Sequence, residues 1–182
     1  SFHVTGVQTC ALPICDRLVY AGNVFGYGRQ IIETVDELLA FRREIIAQPR
    51  MFASDVVYLR GSQEEMWEKL LQLQFAVNPR EVFDWMLAQG VAATVTAYGG
   101  DIERGRIAMR EGPMAIGRWT QGLRQAIADH PGHRDFLTSL KRAALSDDGR
   151  LLFVHAGIDP GRALGEQGDA LWWGHPGWAQ IA

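Results

Sequence analysis

The sequence predicts an α/β fold, and three observations predict it. Three short apolar runs, Leu18–Ala21, Asp55–Leu59 and Leu151–Val154, each stop at a glycine-containing turn, at Gly22, Gly61 and Gly157. Short apolar runs bounded by glycine read as buried strands. Between the first two, apolar residues recur at three- and four-residue spacing, the period of an amphipathic helix. Between the second and third, the pattern is helical almost throughout.

The elements follow in order. Leu18-Val19-Tyr20-Ala21 is the first strand, and Gly22-Asn23-Val24-Phe25-Gly26-Tyr27-Gly28 is the loop after it. Ile31, Ile32, Val35, Leu38, Leu39, Phe41, Ile45 and Ile46 line one face of a helix that ends near Pro49. Asp55–Leu59 is the second strand. Strand, loop, helix, strand is a βαβ unit, so these two strands are expected to lie parallel. Met66, Trp67, Leu70, Leu71 and Leu73 mark a helix, and Asn78-Pro79 starts another carrying Val82, Phe83, Trp85 and Met86. Two more are expected, one from Arg118 to Ile127 and one from Phe136 to Leu145. Gly99-Gly100, Gly112-Pro113 and Pro131-Gly132 punctuate between them. Leu151–Val154 is the third strand, expected beside the first two, and the tail from Asp159 to Ala182 reads as a Gly-rich loop.

Composition narrows the function. The chain has 182 residues, 18 basic against 21 acidic, for a net charge of −3. One ordinary domain accounts for that length. The charge excludes the strongly basic footprint of a nucleic-acid or anionic-membrane binder. No apolar run reaches the ~18 residues that a spanning helix needs. Two cysteines, Cys10 and Cys15, make neither a disulfide framework nor a cysteine zinc site. That scarcity suits a reducing compartment, and a cytoplasmic location is the expectation.

The opening segment differs from the rest. It lacks the basic region and small-residue cleavage site of a signal peptide, and it has no helical or strand periodicity. Val4–Ile14 resembles the translation of a sequencing-library adapter read in frame. Residues 1–15 are therefore expected to be an artefactual segment that carries no site, with the native frame starting near Asp16. The domain over 16–182 is expected to be incomplete at both ends.

The three strands place polar groups at their carboxyl ends, where open α/β sheets form ligand sites. Gly22, Gly26 and Gly28 also open a helix after a strand, as a dinucleotide-binding turn does. Such a fold carries an acidic residue at the end of its second strand, about 20 residues on. Here that strand ends at Leu59 and Arg60 follows, so this reading ranks last.

The stronger pattern joins Gly22-Asn23, then Tyr58-Leu59-Arg60-Gly61-Ser62-Gln63-Glu64-Glu65, then Val154-His155-Ala156-Gly157. In order, spacing and context it resembles the calcineurin-like metallophosphoesterases, in the bacterial branch similar to serine/threonine protein phosphatases. The resemblance spans roughly Arg17 to Trp178. It implies a layered α/β sandwich with a helical insertion, here between Gln63 and Gly149. It also implies phosphoester hydrolysis by metal-activated water, two divalent cations (Mn, Fe or Zn), and a phosphorylated small molecule or phosphoprotein as partner. The metal positions are Asn23, Ser62 and His155, and the general-acid position is Gln63. Arg60 and Tyr27 are candidates for substrate contact.

The departures from the family pattern decide the expected activity. Asn23 stands where the family has a metal-bridging aspartate, and Gly26 and Tyr27 stand where it has Asp and Arg. Ser62 replaces a metal-binding Asn, and Gln63 replaces the His that protonates the leaving group. Two cations about 3.5–4 Å apart need an anionic bridge and several hard or imidazole ligands. Only His155 is retained among them. A degenerate hydrolytic site is expected, with a noncatalytic phospho-ligand or protein-binding domain as the alternative.

Other residues have plainer readings. Arg60 and Glu64 are expected to pair or to cap the following helix, whose dipole Glu64 and Glu65 suit. Trp67, Trp85 and Met86 are expected in the core, and Trp172-Trp173 under the final loop. His130 and His133 are expected in a surface turn around Pro131-Gly132, with no metal role.

Overall fold

The structure is a computed structural model and describes residues 17–177. The adapter-like segment expected over residues 1–15 lies outside the described residues. β1 (Leu18–Tyr20) and β2 (Val56–Tyr58) pair in parallel, Leu18 opposite Val56 and Tyr20 opposite Tyr58. α1 (Ile31–Ile46) connects them and buries Ile31, Val35, Leu38 and Ile45. This is the expected βαβ unit. β2 takes a second neighbour on its other edge, where Leu59 bridges Lys141 in parallel. Lys141 N–H donates to the Tyr58 carbonyl at 2.9 Å, and Arg60 N–H to the Lys141 carbonyl at 2.8 Å.

The helical stretch begins with α2 (Ser62–Leu70). α3 (Pro79–Met86) starts on Pro79, whose missing N–H is one the first turn does not need. A wide turn over Leu87–Val91 kinks at Gly90 and leads into α4 (Ala92–Ala97). α5 (Ile102–Glu111) is capped by Asp101, whose carboxylate accepts from Arg104 N–H at 3.0 Å. α6 (Pro113–Ala128) and α7 (His133–Ser139) complete the helical stretch. α4 and α5 have no counterpart among the helices expected from residue spacing. α4 is Ala- and Thr-rich, and α5 buries only Gly105, Ala108 and Met109, too weak an apolar stripe to read. Among the described residues no helix is long and apolar enough to cross a membrane.

Two expected elements are corrected. The helix over Phe136–Leu145 ends at Ser139, because Leu140 leaves the helical region (ψ 134°) and Lys141 joins the edge of β2. Beyond it β3 (Ala144–Leu145) pairs antiparallel with β4 (Leu152–Phe153). The third strand therefore forms a hairpin and does not lie beside β1 and β2. Its cause is Ser146-Asp147-Asp148-Gly149, a turn-forming run in which Ser146 Oγ donates to Asp148 at 2.6 Å. The last helix among the described residues is α8 (Ala170–Trp173).

One core joins the sheet to the helices: Phe25, Trp67, Tyr98 and Phe136 lie in it with the apolar faces of α1, α2 and α6. Trp67 and Met86 are buried as expected, but Trp85 is half exposed and meets the Trp173 ring edge-on at 6.1 Å. Trp172 receives Arg142 over its ring. His133 is also corrected. It is fully buried, accepts the Tyr98 hydroxyl on Nδ1 at 2.7 Å and donates through Nε2 to Asp36 at 3.1 Å. The glycine turn places its backbone at the surface, yet α7 turns the ring inward between α1 and α4. Burial pushes the Tyr98 hydroxyl well above its ordinary range and the Tyr58 hydroxyl up to about 12.

The hairpin is fastened to β1 by Arg17, which donates twice to the Asp147 carboxylate at 2.8 Å and lies 3.4 Å from Asp55. Hydrogen bonding and charge from Arg17 hold the Asp147 carboxyl below its ordinary value. A depressed carboxyl stabilises the folded state above the unfolded value, and the contribution is lost as pH falls through the folded one. Both partners are exposed, so the contribution is small. An NMR titration is expected to place Asp147 below 3.8 and to move it upward in Arg17→Ala. An identical Asp147 titration in the two proteins would show that the pair does not form.

Candidate functional site

The loop after β1 and the turn after β2 are brought together by one buried carboxylate. Glu64, on the first turn of α2, is 1 % exposed. Its Oε2 accepts Gly61 N–H at 2.8 Å and Asn23 N–H at 3.0 Å, and its Oε1 accepts Phe25 N–H at 2.9 Å. The Gly61 bond is half of a capping box, in which the third helical residue reaches back to the cap. The other two reach across to the loop after β1. The close approach requires glycine on both sides. A Cβ on Gly61 would meet Asn23 N at 2.4 Å, and one on Gly22 would meet Gly61 N at 2.5 Å.

Asn23 supplies the missing half of the cap. Gly61 has no side chain to receive the α2 amides, and Asn23 takes that role from the neighbouring loop. Its Oδ1 accepts Gln63 N–H and Ser62 Oγ–H, both at 3.1 Å. The residue sits in the left-handed region (φ 59°), which asparagine tolerates better than other side chains. Gln63 is buried, donates through Nε2 to the Gln89 carbonyl at 2.7 Å and packs on Gly26. Gly26 N–H in turn donates to the buried Thr94 hydroxyl at 2.9 Å. The loop is thus tied to α2 and to the kinked α3–α4 segment.

His155 follows β4 and reaches the same edge. Its Nδ1 lies 2.5 Å from the Ala21 carbonyl, two residues before Asn23. A carbonyl only accepts, so Nδ1 carries the proton and Nε2 is the ring nitrogen left for any other ligand. Asn23, Ser62, Gln63 and His155 therefore gather at the carboxyl ends of β1 and β2. Arg60 and Tyr27 are drawn elsewhere. Arg60 pairs at 3.3 Å with Glu65, not with Glu64, and Glu65 continues to Lys69 at 3.5 Å. Tyr27 is 72 % exposed, with its ring over Gly90 at the helix kink.

Two divalent cations do not fit this donor set. The Asn23 oxygen is neutral and already receives two hydrogen bonds from the start of α2. The Glu64 carboxylate receives three backbone amides. Gln63 has no titrating group, and Ser62 donates to Asn23. Among the described residues no group of three or more His, Cys, Asp or Glu side chains is arranged to hold a metal ion. The glycine loop does not suit a dinucleotide phosphate either, since the amides of Asn23, Phe25 and Gly26 are engaged inside the protein.

No family model matches this chain. No curated protein and no solved structure matches it either.

The sequence pattern did not reveal the cross-strand role of Glu64, nor Gln89 and Thr94. Glu64 was legible as a residue that pairs with Arg60 or caps the following helix, and nothing local announces its reach to residues 23–25. Thr94 and Gln89 lie in a segment whose helices carry no readable stripe. Glu64→Gln keeps the size but turns an N–H donor toward backbone N–H groups. Hydrogen bonds to charged groups contribute about 1.5–3 kcal/mol each, so a loss of about 2–3 kcal/mol is expected in urea denaturation. A change under about 0.5 kcal/mol, the range of neutral surface substitutions, would contradict the assignment.

Proposed function

We propose that this chain is a calcineurin-like phosphoesterase domain that has lost hydrolysis and serves as a noncatalytic binding domain. The loose α/β architecture is read as a layered sandwich with α2–α7 as the helical insertion, in a cytoplasmic setting. Its ligand class is a phosphorylated small molecule or phosphoprotein presented to the strand-end edge. One observation carries the reading: the side-chain oxygen of Asn23, at the bridging position, is turned back to cap α2. A bridging group has to face two cations, and this one faces two hydrogen-bond donors. The general-acid position supports the same reading, because Gln63 is held by Gln89 and has no proton to give. General-acid assistance contributes about 10²–10⁴-fold where it exists.

The test is hydrolysis of a generic aryl phosphate with added Mn²⁺. The unmodified chain is expected to be no faster than His155→Ala. The triple variant Asn23→Asp, Ser62→Asn, Gln63→His is expected to bind Mn²⁺ more tightly, because it adds an anionic oxygen, an amide and an imidazole at the same edge. Full turnover is not expected, since His155 is the only further ligand the resemblance assigns. Metal-dependent hydrolysis by the unmodified chain that disappears in His155→Ala would overturn the proposal.

A further inference from the structure

We infer that the cleft between α3 and α5 is a binding site for a phosphate dianion, separate from the strand-end edge. The two helices pack closely because α5 carries Gly105 where they meet. A Cβ there would lie 2.9 Å from the Phe83 ring. The buried Phe83 and Met109 line a cavity of about 50 Å³. Its other lining residues are Arg80 and Asp84 from α3, and Arg106 and Arg110 from α5. Each pair is four residues apart, so each pair shares one face of its helix. None of Asn23, Ser62, Gln63 and His155 lines this cavity.

The charge around the cavity is not balanced. Three arginines and one aspartate line it, which sums to +2. Arg106 pairs with Asp84 inside the lining and with Glu103 outside it, the latter at 3.4 Å. Arg80 and Arg110 make no ion pair among the described residues. Glu81 follows Arg80 directly and so does not share its face. Glu111, next to Arg110, lines the groove between α5 and α6 instead. Helix stability does not account for this convergence. Arg80 is in the first turn of α3, where the helix dipole disfavours a cation. Arg110 suits the last turn of α5 but stands one turn from a second arginine, a repulsive spacing.

Size and charge identify the occupant. The cavity has room for one small group, since a single water takes about 30 Å³ of liquid. A phosphate monoester carries a charge of about −1.5 to −2 and three acceptor oxygens. That charge matches the lining, and the planar forks of Arg80 and Arg110 suit its oxygens. A carboxylate has a single charge and two oxygens, so it leaves one of the two free guanidiniums unmatched. The dianion is either the free ion or the head of a larger molecule whose remainder stays outside the cavity.

The experiment titrates inorganic phosphate into the full 182-residue chain and follows the arginine Nε–Hε signals of Arg80, Arg106 and Arg110 by NMR. The Arg80 and Arg110 signals are expected to move together and to saturate with one dissociation constant. Acetate is expected to bind there at least about tenfold more weakly. Arg80→Gln with Arg110→Gln, two surface changes, is expected to leave the unfolding midpoint unchanged. Read at Arg106, that double variant is expected to bind phosphate at least about tenfold more weakly. A blocked phosphoserine tripeptide, titrated in the same way, separates the two sources. Tighter binding than inorganic phosphate assigns the site to a phosphorylated side chain, and weaker binding assigns it to the free ion. The inference is overturned if the Arg80 and Arg110 signals do not saturate, or if acetate and phosphate act equally. It is also overturned if the double variant binds phosphate as tightly as the unmodified chain.

Discussion

The Glu64 carboxylate is the contact on which the arrangement of the strand ends depends. Burying an unpaired carboxylate costs several kcal/mol. Here the charge is met by three backbone N–H groups from two segments and by the positive end of α2. Those same bonds satisfy amides that have no partner in their own elements. Asn23 and Phe25 belong to a loop with no ladder, and Gly61 precedes the first turn of a helix. One side chain thus fixes the register of the loop against the turn, with Gly22 and Gly61 allowing the backbones to touch.

Everything at the candidate site follows from that closeness. With the loop held on α2, the Asn23 oxygen falls within 3.1 Å of both Gln63 N and Ser62 Oγ. Gln63 is directed under Gly26 toward Gln89, which ties the strand ends to the kinked helical segment. The positions that the family resemblance would assign to metals and proton transfer are therefore occupied by structural hydrogen bonds.

Much of the frame was legible because short apolar runs and glycine turns are local signals. β1, α1, β2 and α2 follow from them. The third strand was legible as a strand but not in its partner: pairing is set by the Ser146–Gly149 turn and by Lys141 joining β2, and the second of these is a contact between distant residues. α4 and α5 were not legible because each buries few large apolar residues. His133 misled for a related reason. Glycine and proline announce a surface turn, while the direction of the next side chain depends on Tyr98 and Asp36, far away in sequence. At the site, the polar residues were readable one by one, but their bonds were not, since Asn23, Gln63 and His155 are each bonded to a residue from another element.

The most direct test of this account is native-state hydrogen exchange resolved at three amides, those of Asn23, Phe25 and Gly61. If the Glu64 carboxylate binds all three as one unit, they exchange with similar protection, close to that of the buried strand residues Val56 and Tyr58, and lose it together on opening. Rapid exchange of Asn23 and Phe25 while Gly61 stays protected would contradict it. It would mean that Glu64 caps α2 only and that the loop is not held on the strand-end turn.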